Sequence, residues 1–367
     1  MNGCGKITSL SFVRTSTKKE TGSGTNMSPD IVVYVKARGK RTPTALSWSL
    51  LDMYIEWKPD ASDDCYRQIF FGEEVLDSDA EKHAQTRGQI YSYAAKALDS
   101  QHRRWIFALG VFGKFFRVFR FDPSSVVVSE PVSFMEHPEV MVEIFARFGC
   151  MTPAERGHDP TVTPATAAEK RLFRDQLRNY EIRVTEENLR LHPAVKNLDT
   201  TKVVRIQVNN EEDGATHWYL ASKPASLHPN RSPCGRLSRG LLAMPLKPGP
   251  QDKGKLYWLK DCWRSDQVES EASIYRRLKK KNVRNIPNIF CMGDVLEDGV
   301  VQETLNDTLL DDEDADSWRR PVHIVHHMIH YRLVSELLVP ISSVEDVEDL
   351  LLVGRDILNG KFVELCF

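Results

Sequence analysis

Apolar positions in the first half of the chain alternate with polar ones in short runs and recur every three to four residues in longer ones. The short runs predict strands at 31–35, 51–57, 105–112 and 115–121. Gly113 and Lys114 suit the tight turn of a hairpin between the last two strands. The longer patterns predict helices over 81–98 and 138–148. Together these elements predict an α/β module over residues 29–150.

The second half begins with a charged helical pattern over 169–190 and then changes to strands from residue 203. Residues 1–28 are rich in Gly, Ser, Thr and Lys and predict a flexible tail. A Pro- and Thr-bearing stretch near 151–166 marks a boundary. We therefore expect four parts: a tail at 1–28, the α/β module at 29–150, a linker with a helix at 151–200, and a second domain at 201–367.

Composition narrows the class of protein. The formal net charge of −2 provides no global basic field, so nucleic-acid binding is not indicated. No apolar run reaches the roughly 20 residues that cross a bilayer. The seven cysteines are scattered without a Cys-x-x-Cys spacing, which predicts free thiols and an intracellular protein of the cytoplasm or nucleus.

Three features of the second domain follow one another in an order that phosphate chemistry requires. A loop with Gly235 and Gly240 comes first, an apolar strand ending in Lys260 follows, and a predicted helix begins near Glu271. Glycines let backbone N–H groups approach phosphate oxygens. A lysine neutralises those oxygens, and the helix glutamate holds the lysine in place. Glu271 is the better partner than Glu269, because apolar residues at +3, +4 and +7 then share its face.

The sequence segments around these residues resemble the fungal-type protein kinase family. The similarity is carried by residues 259–264, 271–278, 287–289, 293–295 and 330–334, and upstream by residues 87–95, 101–103 and 156–162. The resemblance implies an N-lobe with a five-stranded antiparallel sheet and one helix, followed by the beginning of a helical C-lobe. It also implies ATP-dependent phosphorylation of protein Ser/Thr, with ATP and Mg²⁺ as cofactors. The implied nucleotide-binding residues are Gly235, Arg236, Ser238, Gly240, Lys260, Glu271, Glu336 and Leu337.

The catalytic loop of that family has no counterpart in this sequence. Arg355-Asp356 resembles its Arg-Asp pair, but position 361 is Lys instead of Asn. About 20 residues from Glu336 to Asp356 are also too few for the helices that precede such a loop. We expect Asp356 to lie in a helix and the kinase domain to be truncated before its catalytic Asp. Phosphoryl transfer is then lost or much reduced, and a protein partner covers the incomplete lobe.

A second constellation lies in the first domain. Pro29-Asp30 precedes a strand, and Glu56-Trp57-Lys58 closes the next one, which is similar to the arrangement of PD-(D/E)XK nucleases. There the acidic residues bind Mg²⁺ and the lysine orients water. Glu56 and Lys58 share one face of a strand, and Gln89 on the next helix is a supporting residue. The alternative is a degenerate α/β module in which Glu56 and Lys58 are surface residues. Arg103, Arg104, Arg117 and Arg120 could serve phosphates, but we expect them to form a solvated face.

Three functional hypotheses follow. The chain is a truncated kinase with residual or no activity, a non-catalytic pseudokinase or interaction module, or a Mg²⁺-dependent nuclease that uses Asp30, Glu56 and Lys58. His326, His327 and His330 are predicted to be structural residues instead of metal ligands, because the local pattern is that of a strand.

Overall fold

The computed structural model describes residues 9–16, 27–36, 39, 41–66, 77–196, 198–222, 232–308, 325–340 and 346–359. The strands are β1 (Leu10–Arg14), β2 (Ile31–Val35), β3 (Met53–Lys58), β4 (Ile106–Phe112), β5 (Phe115–Phe121), β6 (Val126–Val128), β7 (Val132–Ser133), β8 (Val162–Pro164), β9 (Val204–Asn209), β10 (Thr216–Ala221), β11 (Arg239–Pro245), β12 (Tyr257–Ser265), β13 (Ile289–Asp294), β14 (Leu296–Glu297), β15 (Val300–Val301) and β16 (Met328–Glu336). The helices are α1 (Asp77–Ser100), α2 (Pro138–Cys150), α3 (Ala167–Glu186), α4 (Glu271–Lys280) and α5 (Val347–Asn359). The protein is thus mixed α and β.

The chain divides into two compact units. The first contains Met1–Pro160, Pro229–Leu237 and Thr304–His327, and the second contains Thr161–His228, Ser238–Glu303 and Met328–Phe367. The boundary at residue 160 falls within the stretch 151–166 where the sequence places one, and the residues expected to form a separate linker after it belong to the second unit. Its helix is present as α3, but α3 packs on the sheet of the second unit. The chain also passes twice from the second unit into the first, which no local composition signal indicates.

The first unit is built on a sheet with strand order β1-β2-β3-β4-β5-β6, and β7 pairs with β5. Strands β3 and β4 are parallel and are joined through α1, whereas the other pairs are antiparallel. The predicted hairpin is present, since Phe112 pairs with Phe115 across Gly113, whose φ is 57°. The prediction of a flexible tail is wrong at residues 10–14, because β1 pairs with β2 along its whole length.

Strand alternation distributes the apolar side chains of this sheet to two cores. Val32, Tyr54 and Ala108 face α1, and Val33, Met53 and Leu109 face α2. One apolar face of α1 packs on the first core and one apolar face of α2 packs on the second, as the helical periodicity predicts. The sheet is therefore buried on both faces between two helices, and polar residues on its strands must find partners within the unit.

Arginines of the first unit occupy buried positions that the alternative of a solvated face did not predict. The guanidinium of Arg117 is fully buried and donates to Asp64 at 2.8 and 3.0 Å. Arg103 is 2% exposed and donates to carbonyls of Leu51, Asp52 and Arg156. Burial of such charges is tolerated because each is matched by several acceptors. The solvated-face interpretation is wrong for Arg103 and Arg117.

In the described part of the second unit, the antiparallel sheet has seven strands instead of the five that the resemblance implies, in the order β13-β16-β12-β11-β10-β9-β8. The sheet curls, so that its distant strands meet: the N–H of Glu211, after β9, donates to the carbonyl of Met292 on β13 at 2.9 Å. An apolar core that includes Ile206, Leu241 and Val334 fills one face. The other face carries α3 and α4. Lys260 lies on this second face, because side chains alternate along β12 and the neighbouring Leu259 and Asp261 lie on the first face.

Two composition-based expectations can be compared with the structure. Cys65, Cys234, Cys262 and Cys291 carry free thiols, as expected, but Cys150 forms a disulfide bond, so the prediction of free thiols fails there. Among the described residues, no helix combines the length and apolar character that a bilayer crossing needs.

Candidate functional site

Lys260 and Glu271 form the ion pair that the sequence predicts. Lys260 lies on β12, and its Nζ donates to the carboxylate of Glu271, the first residue of α4. Their side chains are 29% and 24% exposed, so the pair is partly desolvated yet open to a ligand. Such a lysine, held by a carboxylate on a neighbouring helix, can neutralise phosphate oxygens without losing its orientation.

Two hydrogen bonds fix the position of the first turn of α4. The side chain of Ser270 caps the helix by accepting the N–H of Ser273. The hydroxyl of Tyr331, on β16, accepts the N–H of Ala272 at 2.9 Å. Capping groups satisfy N–H donors that have no partner within the helix. Ser270 is visible in the sequence as a cap, whereas the role of Tyr331 depends on the pairing of β12 with β16 and could not be predicted.

Asp261 lies on the face of β12 opposite to Lys260, and its side chain links β12 to the neighbouring strands. Its carboxylate is fully buried and accepts from Arg239 at 2.6 Å, from His330 Nε2 at 2.6 Å and from Arg332 Nε at 3.2 Å. The ring of His330 also stacks on Trp263, with centroids 4.5 Å apart. His330 is therefore a structural residue of a strand, as predicted. This network fixes the strand from which Lys260 projects.

The two predicted glycines have different surroundings. Gly240 pairs with Lys260 in the sheet, and a Cβ at Gly240 would lie 1.9 Å from ring carbon Cζ2 of Trp258. The close packing of an indole ring therefore explains the absence of a side chain there. Gly235 belongs to the first unit, where its N–H donates to the carbonyl of Pro123 at 2.8 Å and its φ of 109° lies in the left-handed region.

The remaining predicted nucleotide-binding residues belong to both units. Arg236 is part of the first unit, whereas Ser238 begins the return to the second. Glu336 ends β16 and accepts from the backbone N–H and the side-chain amide of Asn288 at 3.0 and 3.1 Å. Leu337 packs against an apolar cluster under β12. Asp356 lies within α5, which agrees with its predicted helical position.

The structure brings together the predicted nuclease-like residues of the first unit, Asp30, Glu56, Lys58 and Gln89. Lys58 Nζ donates to Glu56 Oε1 at 2.9 Å and to Gln89 Oε1 at 2.7 Å. Asp30 accepts the N–H of Trp57 at 2.9 Å, which places it beside the same strand. Glu56 and Lys58 share the face of β3 that is directed at α1, as the period of two predicts.

Glu56 is the unusual member of this group. Its side chain is 6% exposed, and its Oε2 is buried without a hydrogen bond. Burial raises the pKa of Glu56, the neighbouring charge of Asp30 raises it further, and the contact with Lys58 opposes the shift. An oxygen atom without a donor is what a bound cation would satisfy. Even so, among the described residues no three His, Cys, Asp or Glu side chains converge as a metal site would need.

Lys58 and Gln89 also line an open cleft of about 650 Å³ beside α1. The other polar residues that line it are Asp63, Lys82, Gln85, Thr86 and Ser92. Cationic and amide side chains can donate to the oxygens of an anionic ligand. The cleft is therefore lined by several side chains that can donate to an anionic ligand, beside the carboxylate of Asp63.

Comparisons with known proteins give one match. A family model described as fungal protein kinase matches residues 51–360, which spans both units of the structure. No curated protein and no solved structure shows a significant similarity to the chain.

Proposed function

Because the chain belongs to the fungal protein kinase family, we propose that its second unit serves as a phosphate-binding kinase lobe built around Lys260. The observation that carries the proposal is the ion pair of Lys260 with Glu271 on the face of β12. In a kinase lobe this pair holds the α- and β-phosphates of ATP, while Mg²⁺ neutralises charge on the phosphate oxygens. The reaction that this supports is phosphorylation of protein Ser or Thr.

The proposal includes a weak or absent transfer step in this chain. Transfer requires a positioned aspartate base and metal ligands in addition to the lysine. Among the residues that the structure describes, the aspartate that most resembles such a base, Asp356, lies in α5 instead of a loop. A lobe of this kind would act as a nucleotide-responsive interaction module, and a protein partner remains part of the proposal.

The contribution of Lys260 is testable with a ligand that contains only phosphates. We expect Lys260→Ala to weaken binding of inorganic tripolyphosphate with Mg²⁺ by about 10- to 100-fold, because a charged hydrogen bond contributes about 1.5–3 kcal/mol. Isothermal titration calorimetry measures both affinities. Lys255→Ala is the control, since Lys255 is exposed and lies just before the same strand. Equal affinity of the Lys260→Ala variant and the wild type would contradict the proposal.

A second candidate function concerns the first unit. The buried, unpaired Oε2 of Glu56 beside Asp30 favours a divalent-cation site, with Lys58 and Gln89 as supporting residues. The order of β2, β3, α1 and β4 around them is similar to that of PD-(D/E)XK nucleases. Asp30 and Glu56 would hold Mg²⁺, which would supply a Lewis acid for phosphodiester hydrolysis, and Lys58 would hold the attacking water.

A metal titration tests this candidate independently of nuclease activity. We expect Mn²⁺ or Mg²⁺ to raise the melting temperature of the wild type, and Glu56→Gln to remove most of that rise. A cation binds the deprotonated carboxylate of Glu56, whose pKa is raised. The metal-induced rise in melting temperature should therefore grow as pH increases through that pKa. Glu143→Gln, on the exposed surface of α2, is the matched control. An identical metal response in all three proteins would exclude the site.

A further inference from the structure

The face of β12 that bears Lys260 also bears Trp258, two residues earlier. Trp258 pairs with Ser335 on β16, and the next pair joins Tyr257 to Glu336. The base of a nucleotide whose phosphates reach Lys260, and whose edge meets the backbone after Ser335, must therefore lie against Trp258. Two residues of a strand span about 6.6 Å, which leaves room for a sugar between the lysine and such a base.

That surface is already covered by a segment of the same unit. Tyr180 and Val184 of α3 are about 95% buried and form one apolar cluster with Leu242 of β11. Trp258 and Leu337 pack against this cluster. Leu337 is one of the residues that the family resemblance implies for nucleotide binding, so the cluster lies against two residues of the expected base position.

The chain that follows α3 completes the cover. Val195 is buried in the same cluster, and Leu191 and Ala194 pack against it. The ring of His192 is 4% exposed and lies on Trp258, with centroids 5.8 Å apart at 43°. The covering segment, defined as residues 177–195, thus contacts Trp258 through the ring of His192 and through the shared apolar cluster.

The fit of this segment is close. The side chain of Gln176, just before it, donates to the carbonyls of Asp252 and Lys255, the latter at 2.8 Å. A Cβ at Gly254 would lie 3.1 Å from the carbonyl oxygen of Asn179, so α3 approaches the backbone before β12 directly. These contacts between α3 and the loop before β12 hold the covering segment against Trp258.

We propose that the covering segment is an autoinhibitory element that fills the place of the adenine base, so that the lobe takes ATP only when residues 177–195 leave the sheet. This inference rests on the proposed phosphate-binding role of Lys260. Lys260 and Glu271 stay partly exposed beside the cover, so the structure leaves the phosphate position open while the base position is filled. The apparent affinity for ATP falls by the fraction of molecules that are uncovered.

Two ligands separate the base position from the phosphate position. In the wild type, ATP is expected to bind no more tightly than inorganic tripolyphosphate. Val184→Asp places a charge in the covered cluster and should raise the affinity for ATP at least 10-fold, while the affinity for tripolyphosphate stays the same. Ile182→Asp is the matched control, since Ile182 lies on the same helix and is 54% exposed. Calorimetric titration of the intact chain measures each affinity.

A second variant guards against misfolding of the first. Val195→Asp places a charge at a second buried position of the covering segment, after the end of α3, and should also raise ATP affinity selectively. Hydrogen exchange of residues 177–195 shows whether each variant releases the segment. ATP affinity that is high in the wild type and unchanged in both variants overturns the proposal. If tripolyphosphate binding does not depend on Lys260, the phosphate-binding function itself fails, whatever the variants do to ATP.

Discussion

Asp261→Ala is expected to destabilise the second unit by about 3–5 kcal/mol, because it removes the carboxylate that faces the buried charges of Arg239 and Arg332. The carboxylate is fully buried and accepts from Arg239, His330 and Arg332. Arg332 is itself fully buried, although it retains acceptors at Thr161 and at the carbonyl of Gln207. The loss of the acceptor therefore affects three donors at once.

Urea unfolding, followed through the fluorescence of Trp263 against His330, would measure this loss. Asp266→Ala is the control, since Asp266 is exposed one residue beyond the same strand, and it should change stability by less than about 0.5 kcal/mol. Asp261→Asn separates charge from shape, and we expect an intermediate loss. A loss below about 1 kcal/mol for Asp261→Ala would show that the buried cations find other acceptors.

Gly157→Ala is the second large effect that we expect, in the first unit. Gly157 has a φ of 95°, and a Cβ there would lie 2.1 Å from the carbonyl oxygen of Trp105. The left-handed backbone costs an alanine about 1–3 kcal/mol. Overpacking adds about 1–3 kcal/mol, because a backbone carbonyl cannot rotate away as a side chain can. The free energy of unfolding should therefore fall by about 2–6 kcal/mol.

Gly235→Ala isolates the backbone part of that effect. Gly235 belongs to the same unit and has a similar φ of 109°, but nothing lies within 4 Å of a Cβ built there. It should show only the backbone cost of about 1–3 kcal/mol. Chemical denaturation of the three proteins under the same conditions gives the comparison. Equal losses in the two variants would show that the contact with Trp105 relaxes freely.

Two side-chain contacts follow from spacing along single elements. Glu271 was chosen over Glu269 from the apolar positions of one helix turn, and Glu271 is the residue that contacts Lys260. Glu56 and Lys58 share a face of β3 because strand side chains alternate. In each case one element carries the information, so its periodicity is sufficient.

Predictions that depended on distant partners failed. Residues 10–14 look like part of a polar tail but form β1, because the edge of β2 offers them backbone partners. Arg103 and Arg117 look like surface residues but are buried, because Asp52 and Asp64 reach them from elsewhere in the chain. A residue type alone does not show whether such acceptors exist.

The sequence by itself determined most of the strands and helices, the resemblance to a kinase family and the pairing of Lys260 with Glu271. These follow from periodicity and motif order along short stretches. Only the tertiary structure decided that α3 covers Trp258, that Gly240 is a packing glycine, and that Gly235 belongs to the first unit. Those facts depend on contacts between residues far apart in sequence, and the burial free energy that selects such contacts is not legible in any single segment.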